Sequence, residues 1–277
     1  MNSNSLIKKN NDKEVNEMIK SKLNESKNNY IRFLGLNGPI YGYNKQDNMM
    51  MAYCIRELVY DRMTDKWGGI WVCLDLNELR KMLPRKLRSS INLSSDSIFL
   101  NGMIVDVVKK GKDGEFFVNF IDTVNDYVMQ RAANFTENYL KTLLTFKHVS
   151  SFRLFELLST IFFDCQLKMK IEKFEIKFGL NELRFALGLA EFRGVDEIKI
   201  RNLFNADILP DFNHVIEYAS YVKYKWDNNI ILEFLDVAVP EINNLTNMHI
   251  RYRKKTNNKG KITSIVFKIT IKPLASL

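Results

Sequence analysis

Cysteine is scarce in this chain of 277 residues: Cys54, Cys73 and Cys165 lie far apart and form no CxxC pair. That usage argues against a disulfide scaffold and fits a reducing compartment. Five prolines and 12 glycines are too few for a collagen-like or Pro-rich chain. The opening MNSNSLIKKNNDKEV has no apolar stretch, so no secretory signal is expected. No uncharged apolar run approaches the roughly 18 residues of a membrane span. There is no G-x-x-x-x-G-K-[ST] phosphate loop, which disfavours ATP hydrolysis. His148, His214 and His249 are isolated, with no His-x-His pair and no His/Cys set at metal-ligand spacing. A metal-dependent nicking reaction needs paired His and a nucleophilic Tyr. Tyr218, Tyr221 and Tyr224 therefore read as packing residues, and neither an enzyme nor a cofactor is expected.

What is present is a globular composition, 46% hydrophobic and 26% charged, with length for two domains. Lys plus Arg is 41 against 32 for Asp plus Glu, a net charge of +9 that favours an anionic partner. The placement of this charge says more than its sum. Residues 242–277 contain no Asp or Glu but carry Arg251, Arg253, Lys254, Lys255, Lys259, Lys261, Lys268 and Lys272. A smaller basic region, 81–112, holds Lys81, Arg85, Lys86, Arg88, Lys109, Lys110 and Lys112 against Asp96 and Asp106. A single Lys cluster is as readily a solvated face as a binding site. Two clusters at matching places in two repeated units point to a polyanion.

Residues 1–29 are polar, rich in Asn and Lys and lack aromatics, which predicts a mobile tail with a short helix around 15–23. Residues 47–63 predict a helix on the stripe Met51, Ile55, Leu58, Val59. A short strand over 70–74 leads to Asp75, which caps the next helix with Glu78 at capping-box spacing. A hairpin follows, with Met103, Val105, Val107 and then Phe116, Val118, Phe120 alternating around a basic turn at 109–114. A helix over 123–133 closes this first unit. In the second, 150–165 is a helix apolar on most sides, and Phe174, Ile176 and Phe178 alternate as a strand. Gly179 and Glu182 then repeat the capping spacing, and that helix ends near Gly188. After about 35 less regular residues, 227–244 predicts a helix kinked at Pro240. The last hairpin has arms 248–253 and 262–271 and a tip at 254–260.

Leu76-Asn77-Glu78-Leu79-Arg80 recurs letter for letter as Leu180-Asn181-Glu182-Leu183-Arg184. Each copy follows a helix and a short strand and precedes a basic-tipped hairpin, and internal similarity of this kind takes priority in reading a chain. Helix, strand, helix, helix, hairpin is the order of a winged helix, whose recognition helix enters the major groove while the hairpin wing meets phosphate or minor groove. The expected fold is therefore α+β: two tandem, pseudo-duplicated winged-helix (helix-turn-helix plus β-hairpin) domains. The competing reading is a different α+β domain with an accidental five-letter echo.

Three further segments resemble the iteron-binding plasmid replication initiators (Rep proteins). Phe135-Thr136 and the run from Ser151 through Phe152-Arg153-Leu154-Phe155-Glu156-Leu157-Leu158 resemble the family's Phe-Thr segment and its S-x-R-L-Y-E-L-L helix, with Phe155 for the usual Tyr. Residues 174–189 are similar to its strand plus L-x-E-L-R-x-x-L-G-L. Leu235-Asp236-Val237-Ala238-Val239-Pro240-Glu241-Ile242-Asn243 and Thr246 are similar to L-D-P-A-x-x-E-I-N-x-x-T. After the flexible tail expected at 1–29, the resemblance implies an N-terminal winged-helix domain at 30–148 for dimerisation and DNA contact, and a C-terminal DNA-binding one at 149–277. It implies a protein of the bacterial cytoplasm, associated with a plasmid, that binds direct repeats (iterons) at an origin, promotes origin opening and helps recruit host helicase and initiator. A homodimer that represses its own gene also belongs to this picture.

The expected DNA contacts are Arg85, Lys86, Arg88, Lys109, Lys110 and Lys112 in the first unit, and Arg251, Arg253, Lys254, Lys255, Lys259 and Lys261 in the second. The chain departs from the family where a basic F-K-R-R opens the second recognition helix. Ile230, Ile231, Leu232 and Glu233 stand there, so that helix either binds DNA weakly or packs in the core. Nearby Lys223, Lys225, Asn228 and Asn229 are the substitutes, since Asn can pair with adenine and Lys can reach phosphate. A winged-helix repressor without initiator activity and a basic protein-interaction module remain as alternatives.

Overall fold

The computed structural model describes residues 3–37, 62–64, 70–75, 105–110, 115–120, 122, 126, 142–143, 145–166, 172–206, 208–224 and 229–272. The chain divides into two compact units, one of Asn37–Arg153 and one that joins Met1–Leu36 to Leu154–Leu277. Both are mixed helix and sheet. Among the described residues no helix is long and apolar enough to cross a membrane.

In the first unit, strands β1 (Arg62–Thr64), β2 (Ile70–Asp75), β3 (Val105–Lys110) and β4 (Glu115–Phe120) form one antiparallel sheet, ordered β1-β2-β4-β3. Val72 and Val118 face each other across β2 and β4 and are fully buried. The expected hairpin is present, with Lys109 and Lys110 ending β3 opposite Phe117 and Phe116. The helix expected over 47–63 is corrected at its end. Arg62 and Met63 pair with Val72 and Trp71 as strand, and the rest of that span lies outside the described residues. The first LNELR copy and the helix expected after Asp75 lie outside them too. Of the helix over 123–133 only Asp126 is described, and it is helical.

In the second unit the helix expected around 15–23 is longer: α1 runs Ser3–Asn37, and from Leu23 on it is built into this unit. Leu23, Tyr30, Ile31 and Leu34 are buried along one side of it, at i, i+7, i+8 and i+11. The polar groups interleaved with this stripe are satisfied inside the unit. Tyr30 donates to Glu156 Oε2 at 2.5 Å. Lys27 Nζ lies 2.8 Å from Glu182 Oε1, donates to the Lys177 carbonyl at 3.2 Å and sits over the Phe178 ring. Composition suggested disorder because these partners are more than a hundred residues away. The compact unit includes residues 1–36 and resumes at Leu154, beside the boundaries expected at 30 and 149.

Helix α2 (Val149–Gln166) is buried from Ser151 to Phe162, as its apolar composition requires. Strand β5 (Lys173–Gly179) alternates, with Phe174, Ile176 and Phe178 inward and Lys173, Glu175 and Lys177 exposed. Helix α3 (Leu180–Ala186) starts where the sequence placed it. The Gly179 N–H donates to Glu182 Oε2 at 2.8 Å. It stops at Gly188, which has φ +60° and donates to the Phe185 carbonyl while Leu189 N donates to the Arg184 carbonyl, a Schellman motif.

The irregular stretch after α3 closes on itself. Strand β6 (Ala190–Glu191) pairs with β7 (Tyr221–Val222) at its base, and α4 (Val195–Phe204) and α5 (Phe212–Glu217) lie between. Phe185, Phe204 and Phe212 cluster, the first two stacked at 5.0 Å between centroids. Gly35 of α1 meets this cluster so closely that an added Cβ would come within 2.1–2.4 Å of three Phe204 ring atoms. Next come a π-helical turn (Ile230–Leu235) and α6 (Asp236–Leu245), with Pro240 inside the latter. Strands β8 (Met248–Thr256) and β9 (Ile262–Ile271) complete a sheet ordered β5-β9-β8.

Candidate nucleic-acid interface

The register of the β5-β9-β8 sheet sorts its side chains. Phe178↔Ile265, Ile176↔Phe267, Phe174↔Ile269 and Ile250↔Ile269 place the apolar set on one face. The other face receives Lys173, Glu175 and Lys177 from β5, Lys268 from β9 and Arg251, Arg253 and Lys255 from β8, all exposed, around Ser264 and Val266 of β9, which are buried. Lys254 and Lys255 pair with Ile265 and Ser264 of β9, both buried, while their own side chains are exposed at the edge of the sheet. The connecting turn is built by Asn257, whose Oδ1 accepts from Lys259 N and Lys261 N, both at 3.0 Å. Gly260 takes φ +75° there, which a side chain would resist. The result is an ordered cationic tip with Lys254, Lys255, Lys259 and Lys261 all exposed.

Helix α6 fixes the angle of this hairpin. Asn243 Nδ2 donates to the Ile250 carbonyl at 2.9 Å, and Ile250 N donates to Asn243 Oδ1 at 2.6 Å. Thr246 Oγ1 accepts from Met248 N at 3.0 Å in the turn between helix and strand. Tyr252 donates to Asp236 Oδ1 at 2.5 Å. Burial first, then this hydrogen bond and the Asp236 charge, push the Tyr252 phenol above its ordinary value of 10.0. So Asp236, Asn243 and Thr246, singled out as motif letters, orient the basic hairpin and leave its cations to solvent.

Among the expected contacts, Arg251, Lys254, Lys255, Lys259 and Lys261 share this hairpin and have no side-chain hydrogen bond or ion pair among the described residues. Arg253 differs. It reaches across β9 to Glu175 Oε1 at 2.7 Å, and the other oxygen of Glu175 lies 3.7 Å from Lys268. Both Arg253 and Glu175 remain about half exposed, at 55% and 42%. Lys223 is exposed over the Tyr224 ring, and Asn229 is half-buried before the π-helical turn. No hydrogen bond or ion pair among the described residues ties either to the hairpin. Ile230 and Ile231 are buried whereas Leu232 and Glu233 are exposed, so half of the non-basic substitution serves the core. Arg85, Lys86, Arg88, Lys112, Lys225 and Asn228 lie outside the described residues, as do the side chains of Lys109 and Lys110.

Sequence reasoning missed Lys173 and Lys177 as members of this surface. Their period-two spacing between Phe174, Ile176 and Phe178 already assigned them outward. Only the strand order brought them beside the basic hairpin.

No protein-family model matches the chain, and no curated protein matches it. A solved structure does: the Pi initiator protein in complex with iteron DNA. The TM-score is 0.50 at 13% identity, over 87% of this chain and 94% of that one. At this identity the likeness establishes a shared fold.

Proposed function

We propose that this protein is a double-stranded DNA-binding replication initiator that recognises direct repeats at a plasmid origin. The observation that carries this reading is the exposed cationic hairpin, held on α6 by Asn243 and Tyr252, in a fold shared with an initiator bound to iteron DNA. In the second unit α2, β5, α3, α6 and the β8–β9 hairpin follow one another in winged-helix order, with the α4–α5 loop as an insertion. We assign the hairpin as the wing, where Arg and Lys meet phosphate and position the protein on the duplex. Base reading falls to groups near the start of the π-helical turn, Asn229 among them. The first unit supplies a second winged helix, with its own basic hairpin ending in Lys109 and Lys110. The protein acts by binding in the bacterial cytoplasm: origin opening and recruitment of host helicase and initiator follow from how it holds DNA, and a dimeric form represses its own gene.

The test is binding of the full chain to duplex repeats taken from DNA flanking its gene, by mobility shift and footprinting over a salt series. Each phosphate contact contributes about −0.9 to the slope of log K against log salt. Changing Lys254, Lys255, Lys259 and Lys261 together to Gln is expected to weaken binding to every duplex and flatten that slope by about three to four. Unchanged affinity would remove the hairpin from the interface. A protected inverted repeat with no effect on plasmid maintenance would favour the repressor reading.

A further inference from the structure

Resting on the DNA-binding reading above, we propose that the exposed cations on the outer face of the β5-β9-β8 sheet bind phosphate, and that Glu175 is their built-in competitor. Six exposed cations occupy this face, Lys173, Lys177, Arg251, Arg253, Lys255 and Lys268, against one carboxylate. Strands about 4.8 Å apart put β5 roughly 10 Å from β8, and four residues along a strand span about 13 Å. One DNA strand presents a charge every ~3.4 Å of helix axis, so a patch of this size meets several phosphates at once.

Glu175 lies inside the patch, in register with Lys268 on the central strand. One oxygen holds Arg253 at 2.7 Å and the other faces Lys268 at 3.7 Å. An ion pair this exposed contributes little to folding. Its consequence is electrostatic. It holds the Arg253 guanidinium across β9 and cancels one of the patch's charges. A phosphate, like a carboxylate, presents oxygens that a guanidinium can hold in charge-assisted hydrogen bonds. Binding therefore exchanges one anion for another at Arg253, and the displaced Glu175 repels the incoming backbone. The patch grips DNA less tightly than its cations alone would.

The experiment measures affinity and salt slope of the full chain on one duplex for three variants. Glu175→Gln is isosteric and keeps the exposed surface, so its thermal midpoint is expected to match the parent. It should bind about five- to tenfold tighter at low salt, with a slope steeper by about one because Arg253 now counts as a further cation. Glu175→Gln combined with Arg253→Gln should lose that gain. Lys173→Gln with Lys177→Gln should weaken binding and flatten the slope by about two. A parent chain that binds no duplex would defeat the functional reading itself. A parent that binds, with Glu175→Gln no tighter or with the Lys173 and Lys177 pair without effect, would overturn this inference alone.

Discussion

Asn243 grips the backbone of Ile250 with both ends of its side-chain amide, donating to the carbonyl and accepting from the N–H. Strand β8 is an edge strand, so the outward peptide groups of Ile250 have no neighbouring strand. The Asn243 amide takes the place of one and couples the helix to the hairpin. Ile250 itself is buried, so loss of this clip strands a peptide away from water.

Asn243→Ala should lower stability by about 2 kcal/mol, two hydrogen bonds with their buried partners left unsatisfied. Duplex affinity should fall further than the loss of folded protein explains, because the hairpin angle relaxes. Denaturant titration alongside mobility shift on the same variant separates the two effects. Equal loss in both would confine Asn243 to folding.

Lys27 and Glu182 should be energetically coupled. Both are mostly buried, and Glu182 uses one oxygen for Lys27 and the other to cap α3. Lys27→Met removes the ion pair together with the hydrogen bond to the Lys177 carbonyl and the cation over Phe178, whereas Glu182→Ala removes pair and cap together, so only a cycle isolates the pair. A double-mutant cycle with Lys27→Met and Glu182→Gln is expected to give a coupling of about 1–2 kcal/mol. Additive effects would mean that α1 contributes nothing through this pair.

Gly35→Ala should destabilise the protein although it sits in a helix. Alanine gains about 1 kcal/mol of helix propensity over glycine. Here its methyl would overlap the Phe204 ring atoms at 2.1–2.4 Å, and overpacking costs about 1–3 kcal/mol. The net effect is a fall in the thermal midpoint. Phe204→Leu in the same chain should return part of it, and a midpoint raised by Gly35→Ala alone would contradict the contact.

Alkaline pH should unfold this unit partly through Tyr252. Its folded-state value lies above the unfolded 10.0, so the neutral phenol is the form the fold holds. Below pH 10 both states keep the proton and the contribution is complete. As pH rises past 10 the unfolded chain releases its proton first, and stability declines. Tyr252→Phe should flatten this decline while lowering stability near neutrality by about 1 kcal/mol for the lost hydrogen bond. Stability curves from pH 8 to pH 11 for both proteins provide the check.

Much of this architecture was legible locally. The Gly179–Glu182 cap, the stop at Gly188, the β5 alternation and the basic hairpin all depend on residues within a few positions of one another. Periodicity and capping chemistry act at that range. The buried stripe of α1 was also written in the chain, at Leu23, Tyr30, Ile31 and Leu34. The Asn- and Lys-rich sequence around it masked the pattern.

Tertiary structure alone decided which faces meet. It brought Lys27 to Glu182, Tyr30 to Glu156, Gly35 to Phe204 and Arg253 to Glu175, pairs separated by 78 residues or more. It also turned the insertion after α3 into a support for α1 and joined Lys173 and Lys177 to the hairpin's charge. A side chain's period states which way it points along its own element. What stands opposite depends on strand order and helix docking, and these are set by burial of the whole apolar surface together.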